Sequence, residues 1–293
     1  MSGRRGWIVM ALLLIGPVPA LGNVITDWDE KAVSWVQTGT VPPPPTSFRT
    51  MAMIHVAMFD AVNSIEPRYK PYKVQLQASP DASTEAAAAA AAGAVLIKLV
   101  PDATSDIQSA LRSYLATLPD GEAKSEGIKL GQEVASQIFE ARANDGASAA
   151  DAYRPKTKPG VYIPTPITAI RNGDIDGNPA TERDATWQPI DTTPMHPEYP
   201  CAHCITSSAV AAVIEAVLGT DEIPEVALTS PFAPGVTHRF TNLRAYTEEV
   251  ANARIYAGFH YRFSTIAGKE MGQNIGAYVV KSVMQPVQAA MAH

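Results

Sequence analysis

Apolar positions recur at helical spacing through much of the chain. In residues 50–65, Met51, Ile54, Met58, Ala61, Val62 and Ile65 fall on one period of about 3.6. Residues 83–99 are an alanine-rich run with Glu85 in the first turn, which favours a close-packed helix over a linker. Pro101 ends it, and Asp102 caps a further helix reaching about residue 118. Pro119-Asp120-Gly121 reads as a turn, followed by a helix over 122–143 with a stop near Gly146. A buried helix is predicted over 205–218, closed by Gly219, and two more over 240–260 and 263–284. Gly258, Gly268, Gly272 and Gly276 are set into those last two. No strand pattern or internal repeat is evident, so the predicted fold class is all-α.

The connecting segments are marked by proline. Residues 41–45 (VPPPP) form an extended connector, and 67–80 read as loop. Near 150–200, prolines and glycines forbid long regular elements, and irregular segments of that length are usually functional. At the start, Arg4 and Arg5 precede an apolar run over 7–15, then Pro17, Pro19 and Ala20-Leu21-Gly22. This is the pattern of a secretory signal peptide over 1–22. It leads to the expectation of a periplasmic or secreted mature chain, with 23–293 forming a single helical domain.

Composition narrows the classes. With 46% hydrophobic and 18% charged residues the chain can bury a sizeable core. A net charge of -6 leaves no electrostatic footprint for nucleic acid. After removal of the leader, no stretch approaches transmembrane length. Two cysteines exclude a disulfide framework or a cysteine-rich metal scaffold.

Candidate chemistry gathers in two strings. The first, His196-Pro197-Glu198-Tyr199-Pro200-Cys201-Ala202-His203-Cys204, immediately precedes a helix, whose first N–H groups suit an oxyanion and bring His203 to it. The second runs from Ala253-Arg254 to His260 through Gly258. An arginine clamps two oxygens of a tetrahedral anion, one histidine coordinates or attacks its centre, and another transfers protons. Residues six apart on a straight helix do not share a face, so Arg254 and His260 converge only if the helix ends or bends near Gly258. Cys201 and Cys204 are spaced for a local disulfide or a thiol–disulfide couple at a helix start. A zinc site from Cys201, His203 and Cys204 lacks a fourth ligand. His55 reads as a packing residue, and His238 and His293 as surface or loop residues.

These strings carry a family resemblance. Pro200-Cys201-Ala202-His203 resembles the Pro-Ser-Gly-His motif of the vanadium-dependent haloperoxidase and type 2 phosphatidic acid phosphatase superfamily. Arg254 through His260 resembles its Ser-Arg-five-residues-His motif, with Ala253 at the serine. The strings HPEYPCAH, RIYAGFHYRF and RTMAMIHVAMFDAVNSIEPRYKPY are similar to the bacterial exported branch. The resemblance implies a helical bundle holding vanadate or phosphate. His260 would be the vanadate ligand or phosphatase nucleophile, His203 the acid–base residue, and Arg254 a holder of oxygens, with Gly258 and Ala202 lining the anion.

The chain departs from the pattern at Cys201 for serine, Ala202 for glycine, and Ser264 where an orienting Asp often stands. The family's first motif, a lysine, six intervening residues and then Arg-Pro, is missing. Lys158 is followed by Thr165-Pro166, and the segment between family-like stretches is shortened near 165–166. Arg171 is the best candidate to supply the lost charge, with Arg183 a second. The implied activity is oxidation of halide by hydrogen peroxide at a vanadate cofactor. The open alternatives are a phosphohistidine phosphatase acting on phosphoesters, a non-catalytic relic, and a CxxC thiol–disulfide protein.

Overall fold

The structure is a computed structural model that describes residues 23–38, 46–150, 152, 154, 189–190, 194, 196–230 and 233–287. The expectations for the leader 1–22, the segment 41–45, Lys158, the 165–166 junction, Arg171, Arg183 and His293 lie outside the described residues. The described residues divide into two compact units, one within 23–67 and 71–147 and the other within 68–70 and 148–287.

The first unit holds α1 (Val24–Thr38), α2 (Thr46–Ile65), α3 (Thr84–Leu99), one 3₁₀ turn (Pro101–Ala103), α4 (Thr104–Leu115) and α5 (Glu122–Ala141). Its core is built on the alanine run of α3, whose residues Ala86 to Ala92 are buried. Small side chains let α5 approach closely. A Cβ on Gly131 would stand 2.2 Å from the Ala87 carbonyl oxygen, and one on Gly127 would stand 2.4 Å from that of Ser83. Trp28 of α1, Met53, Ile54 and Met58 of α2, Ile107 of α4 and Ile138 of α5 complete the core. The loop after α2 is pinned from inside. Buried Asp60 accepts the N–H groups of Tyr72 (2.7 Å), Lys73 (2.9 Å) and Val74 (2.8 Å), which offsets the penalty of burying its carboxylate. His55 is not a core residue; it pairs with Asp29 of α1 at 2.8 Å.

The second unit holds α6 (Ala202–Leu218), β1 (Glu222–Thr229), β2 (Thr237–Asn242), α7 (Leu243–Tyr256) and α8 (Arg262–Ser282). Gly219, in the left-handed region at φ 71°, closes α6 as the sequence predicts. The predicted helix over 240–260 is too long at both ends. Its first residues belong to an antiparallel hairpin in which Val226 faces Phe240 and Thr229 faces Thr237. The pairing register shifts between Glu222 and Val226, around Pro224, which has no N–H to offer a ladder. Because β1 is largely exposed, it has no alternation of buried and exposed positions to betray it. Asn242 ends β2 and starts α7, its side-chain oxygen accepting the Ala245 N–H at 3.0 Å. His238 lies on this hairpin and pairs with Glu249 at 2.7 Å.

The strongest packing in this unit is between α6 and α8. A Cβ on Gly268 would stand 2.6 Å from the Cys201 carbonyl oxygen, and on Gly272 2.3 Å from that of Ile205. On Gly276 it would meet Ala212 Cβ at 2.6 Å. The three glycines, four apart, therefore form a groove that seats the backbone of α6. Among the described residues no single helix is long and apolar enough to cross a membrane.

Candidate functional site

The end of α7 decides whether Arg254 and His260 can meet. The helix stops at Tyr256, and Gly258 takes φ 80°, a left-handed conformation that strains residues bearing a Cβ. The Gly258 N–H donates to Ile255 O at 2.9 Å and the Phe259 N–H to Arg254 O at 3.0 Å. This pair of bonds is a Schellman motif, and it turns the chain back so that His260 no longer follows the helical period. The bend required at Gly258 is present.

His260 is buried, and Glu198 holds it. Its Nδ1 lies 2.6 Å from the Glu198 main-chain oxygen and 3.3 Å from the Glu198 Oε1. A carbonyl oxygen can only accept, so the proton must sit on Nδ1 and the neutral ring carries its lone pair on Nε2. The same carbonyl accepts the Ser264 hydroxyl at 2.9 Å, and the carboxylate accepts the Tyr261 N–H at 2.9 Å. Glu198 is thus the orienting group, a role the sequence reading sought at the position of Ser264. Burial alone would raise the Glu198 pKa, but the hydrogen bonds from His260, Tyr261 and Ser264 hold it below the ordinary carboxylate value. His196, also absent from the expected set, stacks on His260 with ring centroids 6.3 Å apart.

Cys201 caps α6 with its sulfur, which accepts the Cys204 N–H at 3.3 Å. Its own N–H donates to Ser264 O at 3.2 Å, tying the start of α6 to α8. Both cysteines are buried and free, with sulfurs 2.6 Å apart. The Cys201 pKa is lowered to about 4, first by its hydrogen bond with Cys204 and then by His260, against the effect of burial. Cys204 moves up, because it is the proton-bearing partner of that pair and is buried. Burial pulls the His260 pKa down, but Cys201 and Glu198 outweigh it and raise it to about 9.

Ala202 and His203 are the exposed first residues of α6. Desolvation and the Arg254 charge lower the His203 pKa, and His260 and His196 act in the same direction. The guanidinium of Arg254 lies 4.6 Å from the Phe259 ring centroid. Burial lowers its pKa, opposed by Cys201 and Cys204. The structure therefore gathers His203, Arg254, His260 and the cysteine pair into one electrostatic cluster, with Gly258 as the bend and Ala202 at the helix start.

Among the described residues, five buried side-chain polar atoms have no hydrogen-bond partner, and three of them are Arg254 Nε, Arg254 Nη2 and His260 Nε2. Buried donors normally find acceptors, and leaving one unmade costs about 1–3 kcal/mol. Three of them stand on two cationic side chains of the same electrostatic cluster, and a group with several acceptor oxygens is the kind of partner that would satisfy them.

Residues 149–289 match the family described as the VCPO second helical-bundle domain. Among solved structures, the chain is similar to a bacterial vanadium-dependent iodoperoxidase, with 17% identity and a TM-score of 0.68 over 90% of this chain and 97% of that one. It is also similar to the holo form of a bacterial vanadium-dependent chloroperoxidase, with 12% identity and a TM-score of 0.58 over 89% of this chain and 93% of that one. The apo form of such a chloroperoxidase aligns at 12% identity and a TM-score of 0.56, over 77% of this chain and 90% of that one. These likenesses are likenesses of fold. No curated protein matches the sequence. The second-bundle match over residues 149–289 and the shared helical fold together support the vanadium-dependent haloperoxidase and type 2 phosphatidic acid phosphatase superfamily for this chain.

Proposed function

We propose that this chain is an exported vanadium-dependent haloperoxidase-type enzyme, which oxidises halide with hydrogen peroxide. The observation that carries the reading is the trio of buried, unpartnered nitrogens on Arg254 and His260. Those residues fit vanadate in kind: a nitrogen lone pair for the metal and a forked cation for its oxygens. His260 and Arg254 would hold vanadate there, and it would supply Lewis-acid chemistry towards peroxide.

The chain's own residues do the rest. Glu198 keeps the Nδ1 proton in place, so that His260 presents Nε2. The Nε2 proton must leave before that atom can bind a metal centre. Arg254 offsets the negative charge of the oxygens, and Phe259 supports its guanidinium. His203, solvent-exposed and with a lowered pKa, is largely neutral near pH 7 and so can take up a proton and return it.

The test is iodide and bromide oxidation by the vanadate-loaded protein in the presence of peroxide. Replacing His260 by Ala should abolish turnover, and His203→Ala should slow it by roughly 10²–10⁴-fold while leaving vanadate bound. Equal rates in the parent and both variants would refute the assignment. Hydrolysis of a phosphoester without vanadate, lost in His260→Ala, would move the reading to a phosphohistidine phosphatase. Binding of neither vanadate nor phosphate would leave the non-catalytic relic.

A further inference from the structure

The cysteine pair is not used by the chemistry above. The family motif has a serine where Cys201 stands, and the chain has only two cysteines, Cys201 and Cys204. Their sulfurs are 2.6 Å apart, against about 2.05 Å for a disulfide bond. Both backbones are already held: the N–H of Cys201 is bonded to Ser264 O and its carbonyl lies against Gly268, while the N–H of Cys204 donates to the Cys201 sulfur. A bond between the sulfurs therefore needs little rearrangement of the first turn of α6.

The two sulfurs are not equivalent. Cys201 caps the helix, its sulfur accepting the Cys204 N–H. Nε2 of His260, on a side chain that is 1% exposed, has no hydrogen-bond partner. A sulfur at a helix start faces the N–H groups of the first turn, which offset negative charge as it develops there. Cys204 lies inside the helix, packed on Gly268. The sulfurs are buried, and Ala202 and His203, which lie between the two cysteines in sequence, are exposed, so only a reagent as small as hydrogen peroxide suits the pair.

We propose that Cys201 and Cys204 form a peroxide-reactive dithiol, with Cys201 the attacking sulfur and Cys204 the resolving one. Cys201 sulfur attacks one oxygen of hydrogen peroxide, the O–O bond breaks, and the departing hydroxide takes up a proton to leave as water. Cys201 is then a sulfenic acid. The sulfur of Cys204 attacks it, forming the S–S bond and expelling the second water. In sum, two thiols and one hydrogen peroxide give one disulfide and two waters, the sulfurs being oxidised and the peroxide reduced. Neither vanadate nor halide takes part, so this reaction stands apart from the haloperoxidase reading.

The experiment uses the reduced full chain with hydrogen peroxide and no vanadate or halide. After quenching, the protein is denatured, alkylated and measured by mass spectrometry. Both thiols should be lost to a Cys201–Cys204 disulfide and return on treatment with dithiothreitol. In Cys204→Ser, oxidation should stop at a sulfenic acid on Cys201 that dimedone traps. In Cys201→Ser, Cys204 should react at least about tenfold more slowly than Cys201 does in the parent. Full alkylation of both cysteines in the peroxide-treated parent would overturn the proposal without any variant. Oxidation of Cys204 in Cys201→Ser at the parent rate would overturn the assigned roles.

Discussion

Glu198 grips His260 with its main chain and approaches it with its side chain, and the two contacts do different work. The carbonyl at 2.6 Å fixes the tautomer, whereas the carboxylate at 3.3 Å chiefly adds charge. Their separation gives a prediction. With its pKa raised from 6.5 to about 9, His260 stays an imidazolium at neutral pH and can donate from Nε2 to a plain oxyanion. Sulfate, which remains a dianion throughout, should therefore lose affinity as pH rises through about 9. Stability follows the same sign: the contribution from His260 is fully present below 6.5 and is lost as pH rises through about 9. Replacing Glu198 by Gln removes charge but keeps the carbonyl, so the fall in sulfate affinity should move to lower pH. Calorimetric titration over that range checks this, and affinity that is flat with pH would count against His260 as the donor. The residues that donate were legible in the sequence, because Arg254 and His260 stand in a recognisable string. The residue that orients them was not. Glu198 was in plain view in HPEYPCAH, but its role depends on the chain folding back 62 residues later, a pairing that spacing cannot reveal.

At the level of elements, helical period carried the reading where a helix has one buried stripe, and failed where burial was slight. α2, α3, α5, α6 and α8 lie close to their predicted spans. Only the last residues of the exposed hairpin, 240–242, fall in an expected helix, and the rest carries no strand signal, since β1 and β2 offer almost no buried face. α1 went unread although Trp28, Ala32 and Val36 lie four apart and are buried, because charged residues and β-branched valines break up the surrounding pattern. The glycines of α8 were visible, but their purpose was not, since it lies in α6. Gly272→Ala tests that purpose. The added Cβ would stand 2.3 Å from the Ile205 carbonyl oxygen and 2.8 Å from Ser208 Cβ. Helix propensity favours alanine by about 1 kcal/mol. The contact is with backbone, so α8 must move as a whole, and overpacking costs typically 1–3 kcal/mol. The net expectation is a destabilisation of up to about 2 kcal/mol in urea denaturation. An unfolding midpoint unchanged or raised would mean that α6 and α8 are not packed this closely.

For the whole molecule, the distribution of chemistry between the two units matters more than their number. The first unit is an apolar helical core centred on α3, with Asp60 spent on securing a loop. Every described member of the oxyanion cluster, from His196 to His260, belongs to the second unit, which has a much smaller buried apolar core of its own. A unit of that kind gains much of its order from polar contacts, and the buried nitrogens of Arg254 and His260 still lack theirs. An anion that satisfies them should stabilise the second unit disproportionately. At a hundred times its dissociation constant a ligand adds about 2.7 kcal/mol. Hydrogen exchange should then slow by up to about a hundredfold in the first turn of α6, the end of α7 and the start of α8. Exchange in α3 and α5 provides the internal reference and should not change. Mass spectrometry of exchanged peptides with and without vanadate reads both at once, and Arg254→Ala should remove the protection. Protection appearing first in α3 and α5, or persisting in full in Arg254→Ala, would place the anion elsewhere and take the oxyanion cluster's function with it.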